Sequence, residues 1–377
     1  MRYFIREKPI PGCIILLLTI LWGFSVRGQP NPPAFINGDV QVISSHILEQ
    51  DQTIYVYLPE GYAQSDQAYP VHYVTNAPHL STLFSAILEH HAAGQAMPQS
   101  IIVGLSGKQR ESHLHVEQGA SNYLKYVTDE VIPFIEQHYR THPFRSIVGH
   151  SLGGGFALYA FCSRPEMFNT CIAGSPYPIA AVSARLPGKD HFGKITQHRL
   201  LYASIGTIEE VSQPHFLDFK TQFLTAVPPN FAPHFRVNIG EDHLSNTAVN
   251  FQDGLEALYA DWQFVLPDTL ETSADQLLMT HYRHLSQQMG YPVEVSEGGV
   301  IFPVMDQLAQ RGDFTNAIRV LKYDLTVHPQ SDQAYAFLAR AYMSVGKPDS
   351  ARIHVQKALE INPQNPHARQ LQTMLND

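Results

Sequence analysis

From about residue 40 onward, the sequence alternates short β-rich runs with amphipathic helical stretches. This alternation is typical of an α/β domain on a mostly parallel sheet, because parallel strands need a helix-length crossover between them. In one such crossover, residues 122–139, apolar side chains recur at helical spacing along one face. The eight predicted strands are residues 40–48, 53–59, 69–75, 99–105, 145–150, 170–176, 198–206 and 234–240.

Past Trp262 the pattern changes to a polar linker followed by sequence that is helical in character throughout. Glycine, alanine and proline recur there at an offset of 34 residues, in the pairs Gly312/Gly346, Ala317/Ala351 and Pro329/Pro363. This period resembles the tetratricopeptide repeat, in which each repeat is a pair of helices. Residues 332–365 match the repeat well, whereas residues 298–331 match less well because Asp324 stands where the second copy has Ala358.

The N-terminus has the pattern of an export signal. Three basic residues precede the apolar run at 13–26, and small residues stand at Val26 and Gly28 before Gln29. The run is shorter than the roughly 20 residues that a spanning helix needs, so a retained anchor is the less favoured alternative. We expect cleavage after Gly28 and a protein that is periplasmic or secreted.

The chain is acidic, and its cysteines are few. Removing residues 1–28 changes the formal net charge from −9 to −12, which argues against a nucleic-acid partner. Cys162 and Cys171 then remain. We expect two buried free thiols, since a helix-to-strand geometry often prevents a disulfide.

The stretch RSIVGHSLGGGFALYA, residues 145–160, places Ser151 between Gly149 and Gly153. A β-run precedes Gly149 and a helix-like run follows Gly153, which is the arrangement of a nucleophile elbow. Such an elbow also puts the N–H of Leu152 at a helix N-terminus, where partial positive charge stabilises an oxyanion. Ser151 is the candidate nucleophile and Leu152 a candidate oxyanion-hole donor.

A serine hydroxyl needs a base to take its proton, and an elbow serine is followed along the chain by an acid and then a histidine. The chain has 20 histidines. His243 is distinguished because its polar loop directly follows the last predicted strand, off the carboxyl edge of the sheet. His243 is the candidate base.

Four carboxylates lie near the expected place of the acid. Glu209 and Glu210 occupy the loop after the strand at 198–206, and we favour Glu209 with Glu210 as the alternative. Asp218 falls in the following helical stretch, and Asp242 is adjacent to His243 in sequence, so neither is favoured.

Residues 144–176 and 239–259 resemble the esterase D / enterochelin esterase-like family of α/β-hydrolases, and the resemblance covers roughly residues 40–262. It implies an α/β-hydrolase fold with Ser151 as nucleophile, His243 as general base and Glu209 as acid. Its members include siderophore esterases, S-formylglutathione hydrolases, feruloyl and acetyl-xylan esterases, and mycolyltransferases. The motifs are therefore specific for the family and not for one substrate.

The resemblance also implies an oxyanion hole that combines the N–H of Leu152 with one from the loop after the third predicted strand. Relatives often have Asp-Gly there, whereas this chain has Asn76-Ala77, which keeps a backbone donor but alters the loop. We assign Ala77 as the second donor. Asn76, Arg110 and His150 are the candidate substrate-binding residues.

Metal and cofactor motifs are weak in this sequence. Gly153–Gly155 belong to the elbow and not to a phosphate loop or dinucleotide fingerprint. His113, His115 and Glu117 offer ligand atoms, but alternate residues in a loop are usually solvated. We expect neither a metal nor a cofactor.

The sequence thus predicts an α/β-hydrolase fold followed by an all-α repeat region. Two repeats are fewer than the three usually needed for stability, so we expect them to dock on the hydrolase domain or on a protein partner. The predicted segments are a signal peptide at 1–28, the esterase domain at 29–265, a linker and connecting helix at 266–297, and two repeats plus an end helix at 298–377.

The leading functional hypothesis is an exported serine esterase that acts on a small carboxylic ester, with siderophore lactones and acylated saccharides as candidate substrates. It has no nucleic-acid partner and no membrane span after signal cleavage. The alternative hypothesis is a non-catalytic binding or scaffold protein in which the C-terminal repeats carry the function.

Overall fold

The structure of the protein, a computed structural model, describes residues 38–106 and 110–376, without the side chain of Arg110. The predicted signal peptide therefore lies outside the described residues. Within the described ranges, no helix combines the length and the apolar character that crossing a bilayer requires.

Eight strands form one sheet in the order β1-β2-β4-β3-β5-β6-β7-β8. The first two strands pair antiparallel, as do β2 and β4, and every other neighbouring pair is parallel. Each of the eight predicted strands overlaps an observed one, so the mostly parallel α/β fold is confirmed. The strands are β1 Gly38–Ser45, β2 Gln50–Tyr57, β3 Tyr69–Thr75, β4 Ile101–Leu105, β5 Thr141–His150, β6 Thr170–Gly174, β7 Arg199–Gly206 and β8 Phe231–Asn238.

Helices connect the strands and cover the sheet. The helix predicted at 122–139 occurs as three consecutive segments, α3, a π-helical turn at Val127–Val131, and α4. The helices of this part are α1 His79–Ala93, α2 Arg110–Leu114, α3 Ala120–Tyr126, α4 Ile132–His138, α5 Leu152–Ser163, α6 Ile179–Ser183, α7 Lys189–Phe192, α8 Gln213–Ala226 and α9 Asn246–Leu258.

The central strands are buried on both faces, which explains their continuous apolar sequences. Every residue of β3, β4, β6 and β7 is buried. Cys162 and Cys171 lie in this core as free thiols, as predicted, and burial raises the pKa of each. A rigid, desolvated sheet therefore supports the loops at its carboxyl edge.

The C-terminal region is all helical, as the repeat period predicts. The paired helices α11/α12 and α13/α14 turn at Gly312 and Gly346, whose φ values of 73° and 70° lie in the left-handed region that favours glycine. This requirement explains why glycine recurs with the repeat. The helices are α10 Ala274–Met289, α11 Phe302–Gln310, α12 Phe314–Val327, α13 Asp332–Ser344, α14 Pro348–Ile361 and α15 Pro366–Asn376, with a π-helical turn at Glu297–Ile301 before α11.

The connecting helix α10 extends the apolar core of the two repeats. Leu278 and Leu285 of α10 are buried in the same cluster as Leu308 and Leu321 of the first repeat. Past α10, the ring of Tyr291 stacks on His142 at the start of β5, with ring centroids 3.8 Å apart. The repeats thus gain a third layer of helix, and the connecting segment contacts the sheet.

The sequence departure at Asp324 is accommodated inside the repeat core. The Asp324 side chain is fully buried, and its Oδ1 accepts a hydrogen bond from His328 Nδ1 at 2.7 Å. Burial raises the pKa of Asp324 to about 6, and the bond from His328 opposes that rise. A local histidine partner therefore allows a carboxylate to occupy the position where the second repeat has Ala358.

Candidate active site

The elbow at Ser151 has the geometry that its glycines predict. Ser151 joins β5 to α5 with a φ of 57°, a conformation that costs a non-glycine residue strain. Its N–H donates to Gly174 O at 2.9 Å, and its carbonyl accepts from the N–H of Gly155 at 2.9 Å. A Cβ on Gly149 would overlap the backbone carbonyl of Gly153. Close backbone packing therefore holds the serine in its strained turn.

The loops after three parallel strands bring the predicted acid and base to this serine. His243 Nε2 lies 2.8 Å from Ser151 Oγ, and His243 Nδ1 lies 2.8 Å from Glu209 Oε2. With Nδ1 protonated, His243 donates to the carboxylate and accepts from the serine hydroxyl. This arrangement can remove a proton from Ser151 and hold the resulting imidazolium against an anion.

Glu209 is fixed on its other oxygen as well. Its Oε1 accepts from Ser175 Oγ at 2.6 Å and from the N–H of Gly206 at 2.9 Å. The geometry thus favours Glu209 over Glu210, whose side chain is exposed.

The two other carboxylates considered from the sequence lie outside this arrangement. Asp218 is exposed on α8. The Oδ1 atom of Asp242 accepts the N–H groups of Leu244 and Ser245 at 2.9 and 2.8 Å. Asp242 therefore stabilises the turn that leads into α9, whereas Glu209 is hydrogen-bonded to the imidazole of His243.

The protonation equilibria follow from these contacts. Burial disfavours the charged form of Glu209, but hydrogen bonds from His243, Ser175 and Gly206 outweigh it, so the pKa of Glu209 is lowered. The hydrogen bond to Glu209 raises the pKa of His243, against partial burial, which lowers it. Glu209 is therefore an anion at neutral pH, and it stabilises the protonated form of the base.

His150, predicted to bind substrate, is buried. Its ring packs against that of His243 with centroids 4.9 Å apart. Burial lowers the pKa of His150 to about 4, with a smaller contribution from the neighbouring His243. His150 is thus a neutral ring beside the candidate base, and a direct substrate contact is not supported.

The oxyanion-hole assignment needs one correction. Leu152 opens α5, and within the described residues its N–H has no hydrogen-bond acceptor, as the assignment requires. The N–H of Ala77, however, donates to Leu105 O at 3.1 Å. The pairing of β3 with β4 continues past Thr75 and uses this donor. The assignment of Ala77 as the second oxyanion-hole donor is therefore wrong.

Asn76 takes the place of Ala77 as the candidate donor. Its φ is 64°, and its own N–H has no acceptor in the described part of the chain. The preceding residue, Thr75, packs against Gly153 of the elbow, and a free N–H near the nucleophile is what an oxyanion hole requires.

The remaining predicted residues are not brought together. The side chain of Arg110 lies outside the described residues, so its substrate role stays a prediction. The ring of His113 stacks on Tyr123 with centroids 5.4 Å apart, and His115 Nδ1 accepts from the N–H of Glu117 at 3.3 Å. His113 therefore contacts an aromatic ring, and the bond between His115 and Glu117 uses the backbone of Glu117 and not its carboxylate.

One other set of potential ligands was not anticipated from the sequence. Among the described residues, Glu297, Asp324 and His328 bring three potential ligand atoms within 4.8 Å of one another. Asp324 and His328 of this set belong to the first repeat, and there His328 is already hydrogen-bonded to Asp324.

Two family models match the chain. The model described as "Putative esterase" matches residues 45–216, which contain Ser151 and Glu209. The chain carries an esterase domain. The tetratricopeptide repeat model matches residues 308–375, which confirms the repeats and supports a role in protein interaction for the C-terminal region.

Relatives of the chain include an enzyme whose name states its activity. Over 80 residues, the chain is 36% identical to the ferri-bacillibactin esterase BesA of Bacillus subtilis, a match that spans 21% of this chain and 28% of BesA. The chain therefore covers well under two thirds of that relative.

Two solved structures share the fold over most of the chain. One is an uncharacterised protein from Capnocytophaga ochracea, with a TM-score of 0.71, 19% identity, and coverage of 88% of this chain and 99% of that one. The other is an IroE-like serine hydrolase from Shewanella oneidensis, with a TM-score of 0.63, 20% identity, and coverage of 76% and 98%. At this identity the likeness establishes the fold, and the chemistry must be argued from the site.

Proposed function

We propose that the esterase domain hydrolyses carboxylic esters through an acyl-enzyme, with Ser151 as nucleophile, His243 as general base and acid, and Glu209 as the residue that orients the base. The observation that carries this proposal is the continuous pair of 2.8 Å contacts from Ser151 Oγ through His243 to Glu209 Oε2. Three groups from separate loops meet in the order and geometry that acyl transfer requires.

In the first half-reaction, Ser151 Oγ attacks the ester carbonyl carbon as its proton passes to His243 Nε2. The negative charge that develops on the carbonyl oxygen is stabilised by the N–H groups of Leu152 and Asn76, the first of which lies at the N-terminus of α5. Collapse of the tetrahedral intermediate breaks the bond to the alcohol, which leaves with the proton from Nε2. Ser151 then carries the acyl group.

In the second half-reaction, water replaces the alcohol. His243 takes a proton from the water as the water oxygen attacks the acyl carbon. Collapse of the second tetrahedral intermediate breaks the bond to Ser151 Oγ, which receives the proton back from His243 Nε2, and the acid is released. Throughout, the Glu209 anion stabilises the imidazolium. The carboxylate stays charged at neutral pH because hydrogen bonds from His243, Ser175 and Gly206 outweigh the burial that would raise its pKa.

The proposed substrate is a carboxylic ester that is present where an exported enzyme acts. The basic N-terminus and the apolar run after it support export to the periplasm or the medium. BesA, whose name gives ferri-bacillibactin as its substrate, supports siderophore lactones as one candidate, and acylated saccharides are another. The loops that carry the acid and the base also contain Glu210, Glu241 and Asp242. The negative charges of these side chains argue against a polyanionic substrate.

A hydrolysis panel tests this proposal and separates the candidate substrates. It contains short acyl nitrophenyl esters, acetylated and feruloylated saccharides, and a ferric trilactone siderophore, each assayed with the wild type and with Ser151→Ala. We expect hydrolysis of simple esters by the wild type only. Preference for the trilactone that weakens in Arg110→Ala would identify a siderophore esterase. Absence of hydrolysis of every ester by folded protein would contradict the proposed function.

A further inference from the structure

A buried chain of hydrogen bonds leads away from the triad on the side of Glu209 opposite His243. Ser175 Oγ, which donates to Glu209 Oε1 at 2.6 Å, accepts in turn from Asn246 Nδ2 at 2.9 Å. Asn246 is fully buried, and its Oδ1 accepts from Asn238 Nδ2 at 2.7 Å. The network ties the end of β6, the end of β8 and the start of α9 to one carboxylate oxygen.

The bonds at Ser175 have a defined direction, because the ionised carboxylate of Glu209 can only accept. The Asn246 amide turns its oxygen to the Asn238 donor, so its Nδ2 faces the hydroxyl of Ser175 at 2.9 Å. A hydroxyl that accepts from an amide has a single hydrogen left to donate. The hydrogen of Ser175 is therefore directed to Glu209 Oε1.

The backbone holds Ser175 where this bond requires it. Its φ is 42°, in the left-handed region that a non-glycine residue adopts only at a cost. Its N–H donates to Ser204 O at 2.8 Å, which continues the pairing of β6 with β7 by one residue. Glycine would occupy this conformation with less strain, but it has no hydroxyl to donate to Glu209.

We propose that Ser175 and Asn246 are positioning residues of the esterase: Asn246 orients the Ser175 hydroxyl onto Glu209 Oε1, and this bond keeps Oε2 aligned with His243 Nδ1. The inference rests on the proposed triad and deepens it. Two donors on Oε1, Ser175 Oγ and the Gly206 N–H, fix both the place and the plane of the carboxylate. With the backbone donor alone, the carboxylate can turn about that single bond, and the contact to His243 is no longer fixed.

The test compares Ser175→Ala with Ser146→Ala, a matched control. Ser146 is also a buried serine, on β5, and its hydroxyl is hydrogen-bonded to His72 and not to the triad. We expect Ser175→Ala to lower kcat by about 10- to 100-fold at unchanged KM, the range typical for loss of a group that orients an active-site ligand. Ser146→Ala should lower the unfolding temperature about as much as Ser175→Ala does, but it should not change kcat.

A double-mutant cycle shows whether Ser175 acts through Glu209. In a Glu209→Gln background, Ser175→Ala should lower kcat no further, because the carboxylate that the hydroxyl orients is already absent. Asn246→Asp replaces the donor to Ser175 by an acceptor and turns the hydroxyl away from Glu209, so kcat should again fall at unchanged KM.

Either of two results would overturn the positioning role. One is a kcat of Ser175→Ala within about twofold of the wild type, and the other is an undiminished effect of that substitution in the Glu209→Gln background. Each rate is divided by the concentration of active sites, which is measured by burst titration. A smaller amount of folded protein then does not lower the measured kcat. Retained hydrolysis in Ser151→Ala would instead show that the proposed triad itself is wrong.

Discussion

Replacing Ser151 by alanine is expected to lower kcat for ester hydrolysis by a factor on the order of 10⁶, the loss seen when a serine triad loses its nucleophile. Without Oγ no acyl-enzyme forms, and His243 has no hydroxyl to deprotonate. The residual rate then comes from substrate binding and the oxyanion hole alone. The measurement is kcat for a nitrophenyl ester with purified wild type and variant.

The unfolding temperature is the control for this experiment. Among the described residues, the side chain of Ser151 has one hydrogen-bond partner, His243 Nε2, and its strained backbone is held by main-chain bonds that alanine keeps. Ser151→Ala should therefore unfold near the wild-type temperature. Activity within tenfold of the wild type, in protein free of contaminating esterase, would show that Ser151 is not the nucleophile.

Glu209→Gln is expected to lower kcat by a factor on the order of 10⁴, as for other triads in which an amide replaces the acid. Because Ser175 and Gly206 both donate to the Oε1 position, the amide oxygen of glutamine should occupy it. The amide NH₂ then faces His243 Nδ1, which cannot donate to it. The imidazole proton moves to Nε2, where it prevents His243 from accepting the serine proton.

The matched control for Glu209→Gln is Glu210→Gln, which changes the neighbouring, exposed carboxylate in the same way and should leave kcat nearly unchanged. The pH profile of kcat/KM supplies a second readout. Glu209 raises the pKa of His243, and His243 must be unprotonated to act as base. Loss of the carboxylate should therefore move the acid limb of the profile to lower pH. A larger effect of Glu210→Gln would transfer the role of acid to Glu210.

The parts of the fold that the sequence predicts are those with strong periodic patterns. The sheet follows from apolar runs that are buried on both faces, and the elbow follows from glycines on both sides of Ser151. His243 could be found because its loop directly follows a strand that ends at the same sheet edge. In the repeat region, Gly312 and Gly346 recur because both helical pairs turn through a left-handed residue.

The finer details of the site depend on contacts between loops distant in sequence. The choice between Glu209 and Glu210 is decided by donors from Ser175 and Gly206, which no local pattern reveals. The choice between Ala77 and Asn76 depends on how far β3 and β4 stay paired, because that pairing determines which N–H remains free. Asn246 is the first residue of α9, after the N-cap Ser245, and no local pattern in the sequence indicates its buried contact with Ser175.

The identity of the nucleophile is tested most directly by covalent labelling with a fluorophosphonate, read by intact-protein mass spectrometry and peptide mapping. The proposed mechanism predicts a single phosphonyl group on Ser151 of the folded wild type, no labelling of Ser151→Ala, and slower labelling of Glu209→Gln than of Glu210→Gln. Well-folded wild-type protein that takes up no label, or takes it up on a residue other than Ser151, would contradict it.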